Sequence, residues 1–151
     1  MTFDPKIFAA LWYARQLFPE SVPEFASSAL EAGFDGPALR RLAGLIRPTS
    51  VDVDPLLETA LTEIGCTKPL SSEQALIELG RQVARQIVEG TVAPFEGCRI
   101  LAAYAMSAGY PPGLSDFFQL YDESNWGEYG RNGNALEAAI IEEAHKFLNQ
   151  L

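Results

Sequence analysis

Apolar residues recur along this chain at helical spacing, and no stretch alternates apolar and polar positions for long enough to predict a strand. The clearest stripe is Leu76, Leu79, Val83 and Ile87, flanked by Gly80 and Ala84. Glu73, Glu78, Arg81, Gln82, Arg85 and Gln86 take the opposite face. Ser71 and Gln74 have the spacing of a capping box at its start, and Gly90 tolerates the left-handed turn that stops a helix. Pro94 then predicts a first-turn proline, with Glu96 near the positive helix end. From Ile100 to Met106 the pattern is apolar nearly all round, which predicts a buried central helix over residues 94–107.

The same reading extends to both ends of the chain. Asp4-Pro5 predicts an N-cap and first turn for a helix through about Phe18. Ser21 with Glu24 predicts a capped second helix ending at Gly33, with Phe34 folding back on its last turn. Asp35 opens a short helix with Leu39, Leu42, Ala43 and Ile46 inward and Pro48 as its end. Asp54-Pro55 opens the next, through Ile64 to Gly65. Beyond Gly109, Leu114 to Leu120 reads as a short helix, and Asn134 as the N-cap of a last one with Leu136, Ile140, Ala144 and Phe147 inward. Residues 121–134 show no period at all. These elements predict an all-α, single-domain orthogonal bundle of about seven helices spanning residues 1–151, built around the helix at 94–107.

Two details refine that picture. A glycine inside a helix costs about 1 kcal/mol relative to alanine, so Gly97 points to close approach of a neighbouring helix; the alternative is a turn over residues 94–97. Ala32-Gly33-Phe34 before Gly36-Pro37-Ala38-Leu39 echoes Ala108-Gly109-Tyr110 before Pro112-Gly113-Leu114. A shared helix-stop chemistry accounts for the echo with less than a duplication would require.

Composition narrows the class. The 151 residues are 48% hydrophobic and 21% charged, a folded composition of one-domain size. Twenty acids against eleven bases give a net charge of -9, which argues against nucleic acid or an anionic membrane as partner and is compatible with a basic protein. No apolar run approaches the roughly 20 residues of a membrane span, and the N-terminus lacks a basic leader, so the expected compartment is the cytoplasm. Cys66 and Cys98 stand apart with no CxxC, and are expected to be free thiols rather than a disulfide.

Candidate chemistry is sparse. Glu142 and His145 form one Glu-x-x-His pair, but a di-iron bundle needs two, and His145 is the only histidine. Cys98 and His145 contain no hint of the proximity a thiol nucleophile needs from its base. Read as an EF-hand, Asp122 to Gly133 lacks oxygen ligands at its fifth and twelfth positions, Trp126 and Gly133. No phosphate loop, dinucleotide fingerprint, nucleophile elbow or HExxH occurs. The sequence therefore predicts no enzyme, no cofactor and no metal.

What remains is an interaction surface. Tyr121, Trp126, Tyr129 and Arg131 are of the residue types that dominate binding hot spots, and Asp122, Glu123 and Glu128 lie among them. Between Tyr110 and Leu151 there are seven acids against Arg131 and Lys146. Long irregular loops in compact domains are commonly functional. Tyr121, Asp122, Glu123, Trp126, Glu128, Tyr129 and Arg131 are the candidate partner-binding set; the competing reading folds the rings back as a lid on the core, with the acids as a solvated rim.

Residues 33–45, Gly33-Phe34-Asp35-Gly36-Pro37-Ala38-Leu39-Arg40-Arg41-Leu42-Ala43-Gly44-Leu45, resemble a segment of small all-helical bacterial proteins of unknown function. Residues 90–99, Gly90-Thr91-Val92-Ala93-Pro94-Phe95-Glu96-Gly97-Cys98-Arg99, resemble a second. Some proteins of that look sit in toxin–immunity loci, so the resemblance implies an antidote that binds a toxin and brings no catalytic residues. The expected function is a non-enzymatic acidic protein-binding domain of immunity type. The alternative is a small-molecule-binding protein with a pocket between the central helix and the 121–134 loop.

Overall fold

The structure is a computed structural model, and it describes residues 3–150. Those residues form eight α-helices, two 3₁₀ turns and no strand. The helices are α1 (Pro5–Tyr13), α2 (Val22–Glu31), α3 (Pro37–Ala43), α4 (Ser50–Glu63), α5 (Ser72–Glu89), α6 (Pro94–Ser107), α7 (Leu114–Glu123) and α8 (Gly133–Asn149). The all-α expectation holds. Contacts divide the chain into two compact units, residues 1–75 and 76–151, each with its own apolar cluster.

In the first unit Asp4 caps α1, its carboxylate accepting the Lys6 N–H at 2.9 Å ahead of Pro5. The helix stops at Tyr13 rather than Phe18, because Arg15 takes a left-handed turn (φ 60) and the Gln16 N–H returns to the Leu11 carbonyl. Ser21 makes no side-chain cap; it closes a 3₁₀ turn over Pro19–Ser21, and α2 starts directly after it. The predicted stop at Gly33 is present: Gly33 has φ 101 and Phe34 N–H donates to the Ala29 carbonyl at 3.1 Å.

The third helix is shorter than its apolar pattern suggests. α3 ends at Ala43, and Ile46, expected inward, is 87% exposed. Next, α4 begins at Ser50 and not at Asp54-Pro55. Thr49 and Asp52 form the capping pair, with Thr49 N–H and hydroxyl both donating to Asp52 Oδ2, and Pro55 lies one turn inside on an exposed face. The core of this unit is built by Phe8, Val22, Leu39, Leu42, Val53, Leu57 and Leu61.

One polar contact ties α4 to the start of α3. The Glu63 carboxylate accepts the N–H groups of Ala38 (3.1 Å) and Leu39 (2.9 Å), two donors that a helix start leaves without partners. Gly36 makes the approach possible, since a Cβ there would collide with the Glu63 carboxyl carbon.

The Ser71–Gln74 box forms as read at the start of α5, the helix whose chain runs on into the second unit, with reciprocal bonds of 3.0 and 3.1 Å. Both helical glycines mark close packing. A Cβ on Gly80 would stand 3.0 Å from Leu114 and 3.3 Å from Leu101. One on Gly97 would stand 2.5 Å from Ile87. Gly97 is buried within α6, so the alternative of a turn over 94–97 is excluded. α6 packs on α7 and α8 and is the centre of this unit. It is not covered all round, however: Ala103 and Met106 face out, and Gly97, Cys98, Leu101, Ala102 and Ala105 form its buried stripe. Alanine at 102, 103 and 105 made the pattern look uniformly apolar, yet a methyl group can face solvent at little cost.

Candidate binding cleft between α7 and α8

The apolar face of α7 (Leu114, Phe117, Leu120) is extended by Tyr121, so the helix continues to Glu123. The irregular segment is therefore residues 124–132, not 121–134. It contains a 3₁₀ turn over Gly127–Tyr129 and leads into α8 at Gly133, with Asn132 and not Asn134 in the cap position. Tyr121, Asp122 and Glu123 are thus last-turn helical residues.

A three-bond clasp closes the segment. Glu123 Oε2 accepts from Arg131 N at 2.9 Å and Nε at 2.7 Å, and Oε1 accepts from Nη2 at 3.0 Å. This bidentate pairing sequesters Glu123, whose side chain is only 12% exposed. The Arg131 guanidinium holds the Glu123 carboxyl below the usual carboxylate range. Gly130 fits beneath the clasp because a Cβ there would lie 2.5 Å from the Glu123 carbonyl oxygen.

The three rings of the candidate set separate. Tyr121 is half-buried, 5.9 Å from the Phe95 ring, at the edge of the core. Trp126 is 49% exposed and Tyr129 is 85% exposed. A core lid would bury both of these, so the lid reading fits Tyr121 alone. Asp122 is exposed, and the side chain of Glu128 lies outside the described residues.

Trp126 forms one lip of a polar cleft of about 560 Å³. Leu120 and Ala139 contribute apolar wall, and Asp116, Glu123, Glu142 and Glu143 bring four carboxylates. No residue of α6 lines it; the cleft opens between α7, the clasped segment and α8. Sequence reading missed Asp116, Gln119, Glu142, Glu143 and Lys146 as members of one site. Their helical spacing on α7 and α8 was visible, but which faces meet was not.

The charges in the cleft pair unevenly. Arg131 is engaged by Glu123, and Lys146 reaches Glu142 at 3.6 Å. Among the described residues no ion pair involves Asp116 or Glu143. Burial, together with the hydrogen bond that the protonated Glu143 carboxyl donates to Asp116 and the charge of Asp116, pushes Glu143 above the usual glutamate range. A site with this lining favours a cationic group bearing some apolar surface.

Other candidate groups stay apart. His145 is exposed on α8, and Cys98 is buried with Sγ donating to the Phe117 carbonyl at 3.3 Å. Burial pushes the Cys98 thiol up to about 12, so no nucleophilic thiolate is populated at neutral pH. Among the described residues no three His, Cys, Asp or Glu side chains are grouped to hold a metal ion, and no helix is long and apolar enough to cross a membrane. Both cysteines are free thiols. Alkylation of the denatured, unreduced chain should add two labels by mass spectrometry, while the native chain leaves Cys98 unlabelled. A denatured chain that takes no label would reveal a disulfide. None of the family models, curated proteins or solved structures compared with this chain matches it.

Proposed function

We propose that the protein is a non-enzymatic acidic binding domain that docks a basic protein partner at the α7–α8 cleft. One observation carries this reading: Trp126 stands half exposed in the wall of an acid-lined cleft, on a segment that the Glu123–Arg131 clasp closes and that also exposes Tyr129. Rigid aromatic anchors beside desolvated pockets dominate binding energy, and preorganisation removes the entropy loss of ordering a loop. The surrounding acids steer a basic surface into register. Glu123 and Arg131 act here as the clasp, Tyr121 as its foot in the core, and Asp122 as a steering charge. The resemblance to immunity-locus proteins points to a basic toxin as the partner class.

The test uses the intact chain as bait, with the partner then purified. Trp126→Ala with Tyr129→Ala is expected to weaken binding by about 2 kcal/mol or more, roughly 30-fold, through a faster dissociation rate. Thermal stability should stay unchanged, and raising salt should slow association. A captured partner that is acidic, or one bound equally well by the double variant, would sink the proposal.

A further inference from the structure

We infer that the two units repeat one four-helix plan, and that the second repeat departs from it at the α7–α8 cleft. The inference rests on the docking reading for what the departure does, but the repeat stands on its own geometry.

The buried positions follow one register. Val22, Ala26 and Ala29 on α2 recur seventy-six positions later as Cys98, Ala102 and Ala105 on α6. At the same offset, Ile7 and Phe8 on α1 recur as Val83 and Ala84 on α5, and the helix ends Tyr13 and Glu89 coincide. The stop after the second helix recurs too. Gly33 and Gly109 both have positive φ, and Tyr110 N–H returns to the Ala105 carbonyl as Phe34 N–H does to Ala29. Helix-stop chemistry alone explains each turn. It does not explain why the buried stripes before them keep the same offset.

The second half of each unit matches as well. Gly36 and Gly113 are the N-caps of α3 and α7, and each is walled by the end of the fourth helix: Glu63 in one case, Phe147 and Gln150 in the other. Leu39 and Leu42 correspond to Phe117 and Leu120. Val53, Leu57, Leu61 and Ile64 correspond, at one constant offset, to Leu136, Ile140, Ala144 and Phe147.

With the register in place, two positions stand out. The register of the buried Leu39–Phe117 and Leu42–Leu120 pairs runs one residue beyond that of the two N-caps, and in it buried Ala38 corresponds to Asp116. In the α4–α8 register buried Ala60 corresponds to Glu143. The residues that lengthen the second repeat fall in Pro111-Pro112, in the first turn of α7, at its end and in the segment carrying Trp126 and Tyr129. Both acid replacements and the longest insertion therefore border one cleft, while the rest of the plan is kept. Alanine fills both positions in the core of the first unit, whereas in the second the two carboxylates line the cleft.

Asp116→Ala with Glu143→Ala restores the packing of the first unit and is the decisive variant. It is expected to fold with a midpoint at or above that of the wild type at neutral pH, and to bind the basic partner at least tenfold more weakly. Glu143→Gln should reproduce the thermal gain at neutral pH. Asp116 on α7, Glu142 and Lys146 on α8, and Glu123 and Arg131 of the clasp are the charges around Glu143. Because its folded value is raised, stability falls as the pH climbs from the ordinary glutamate value of 4.5 through the folded one. The gain should therefore fade on acidification below 4.5. In the first unit, Ala38→Asp should lower the midpoint sharply, since it places an unpaired carboxylate in a filled core. A fall of about 5 °C or more for the double alanine variant would make the carboxylates part of the fold and overturn the inference. Undiminished partner binding by that variant, with Trp126→Ala still impaired, would overturn it too while sparing the docking site. An experimentally determined structure in which residues 22–34 and 53–64 fail to superpose together on 98–110 and 136–147 would remove the repeat itself.

Discussion

Gly97→Leu should lower the unfolding free energy by about 3 kcal/mol, the upper end of overpacking. The glycine is buried on α6 where a Cβ would stand 2.5 Å from Ile87 Cγ1 and 3.4 Å from Val92, so a branched side chain has no room on that face. Ile87 is itself buried on α5 and cannot swing into solvent without exposing core. Gly97→Ala is the finer probe. It gains roughly 1 kcal/mol of helix propensity and must shift Ile87 by a fraction of an ångström, so its net change should be much smaller. Urea unfolding of both variants measures the pair. Equal stability for the leucine variant and the wild type would mean that α5 and α6 do not meet at this point.

The second large effect is expected at Glu63. Glu63→Ala removes a carboxylate that accepts two backbone N–H groups at the start of α3 and leaves both donors half-buried. Hydrogen bonds to charged groups contribute about 1.5–3 kcal/mol each, and the two share one carboxylate, so a loss of about 3 kcal/mol is expected. Glu63→Gln keeps one acceptor oxygen and should lose about half as much. Amide hydrogen exchange gives the local readout: protection at Ala38 and Leu39 should fall in the alanine variant before the rest of the unit is affected. Unchanged protection there would show that the α3 start does not depend on α4. Gly36 belongs to the same device, because only a residue without Cβ lets the carboxylate so close.

Much of this molecule is legible one residue at a time. Asp4-Pro5, the Ser71–Gln74 box, and Gly33, Gly90 and Gly109 with positive φ are local devices whose partners lie within a turn, and sequence spacing places them correctly. The stripes at Leu76–Ile87 and Leu136–Phe147 follow from helical periodicity and burial, again as read. Where two local devices compete, spacing alone cannot choose. Thr49–Asp52 prevails over Asp54-Pro55 because it gains five further residues of helix, Ser50 to Asp54, and Val53 then enters the core. Arg15 ends α1 in a conformation that no arginine signals in advance.

The candidate site divides in the same way. Trp126 and Tyr129 belong to a segment without apolar period, and composition alone leaves open whether their rings face solvent or cover the core. Glu123, a member of the candidate partner-binding set, holds the clasp, because only folding brings Arg131 eight residues back onto it. Asp116 and Glu143 meet only when α7 packs on α8, and nothing within one turn of either residue marks the other. The sequence by itself determined the helical class, most caps and the inward stripes, since these depend on neighbours three or four residues away. The cleft, the clasp, the contact of Gly97 with Ile87 and the hold of Glu63 on α3 were decided by tertiary structure, because each joins groups whose separation along the chain exceeds the reach of any helical repeat.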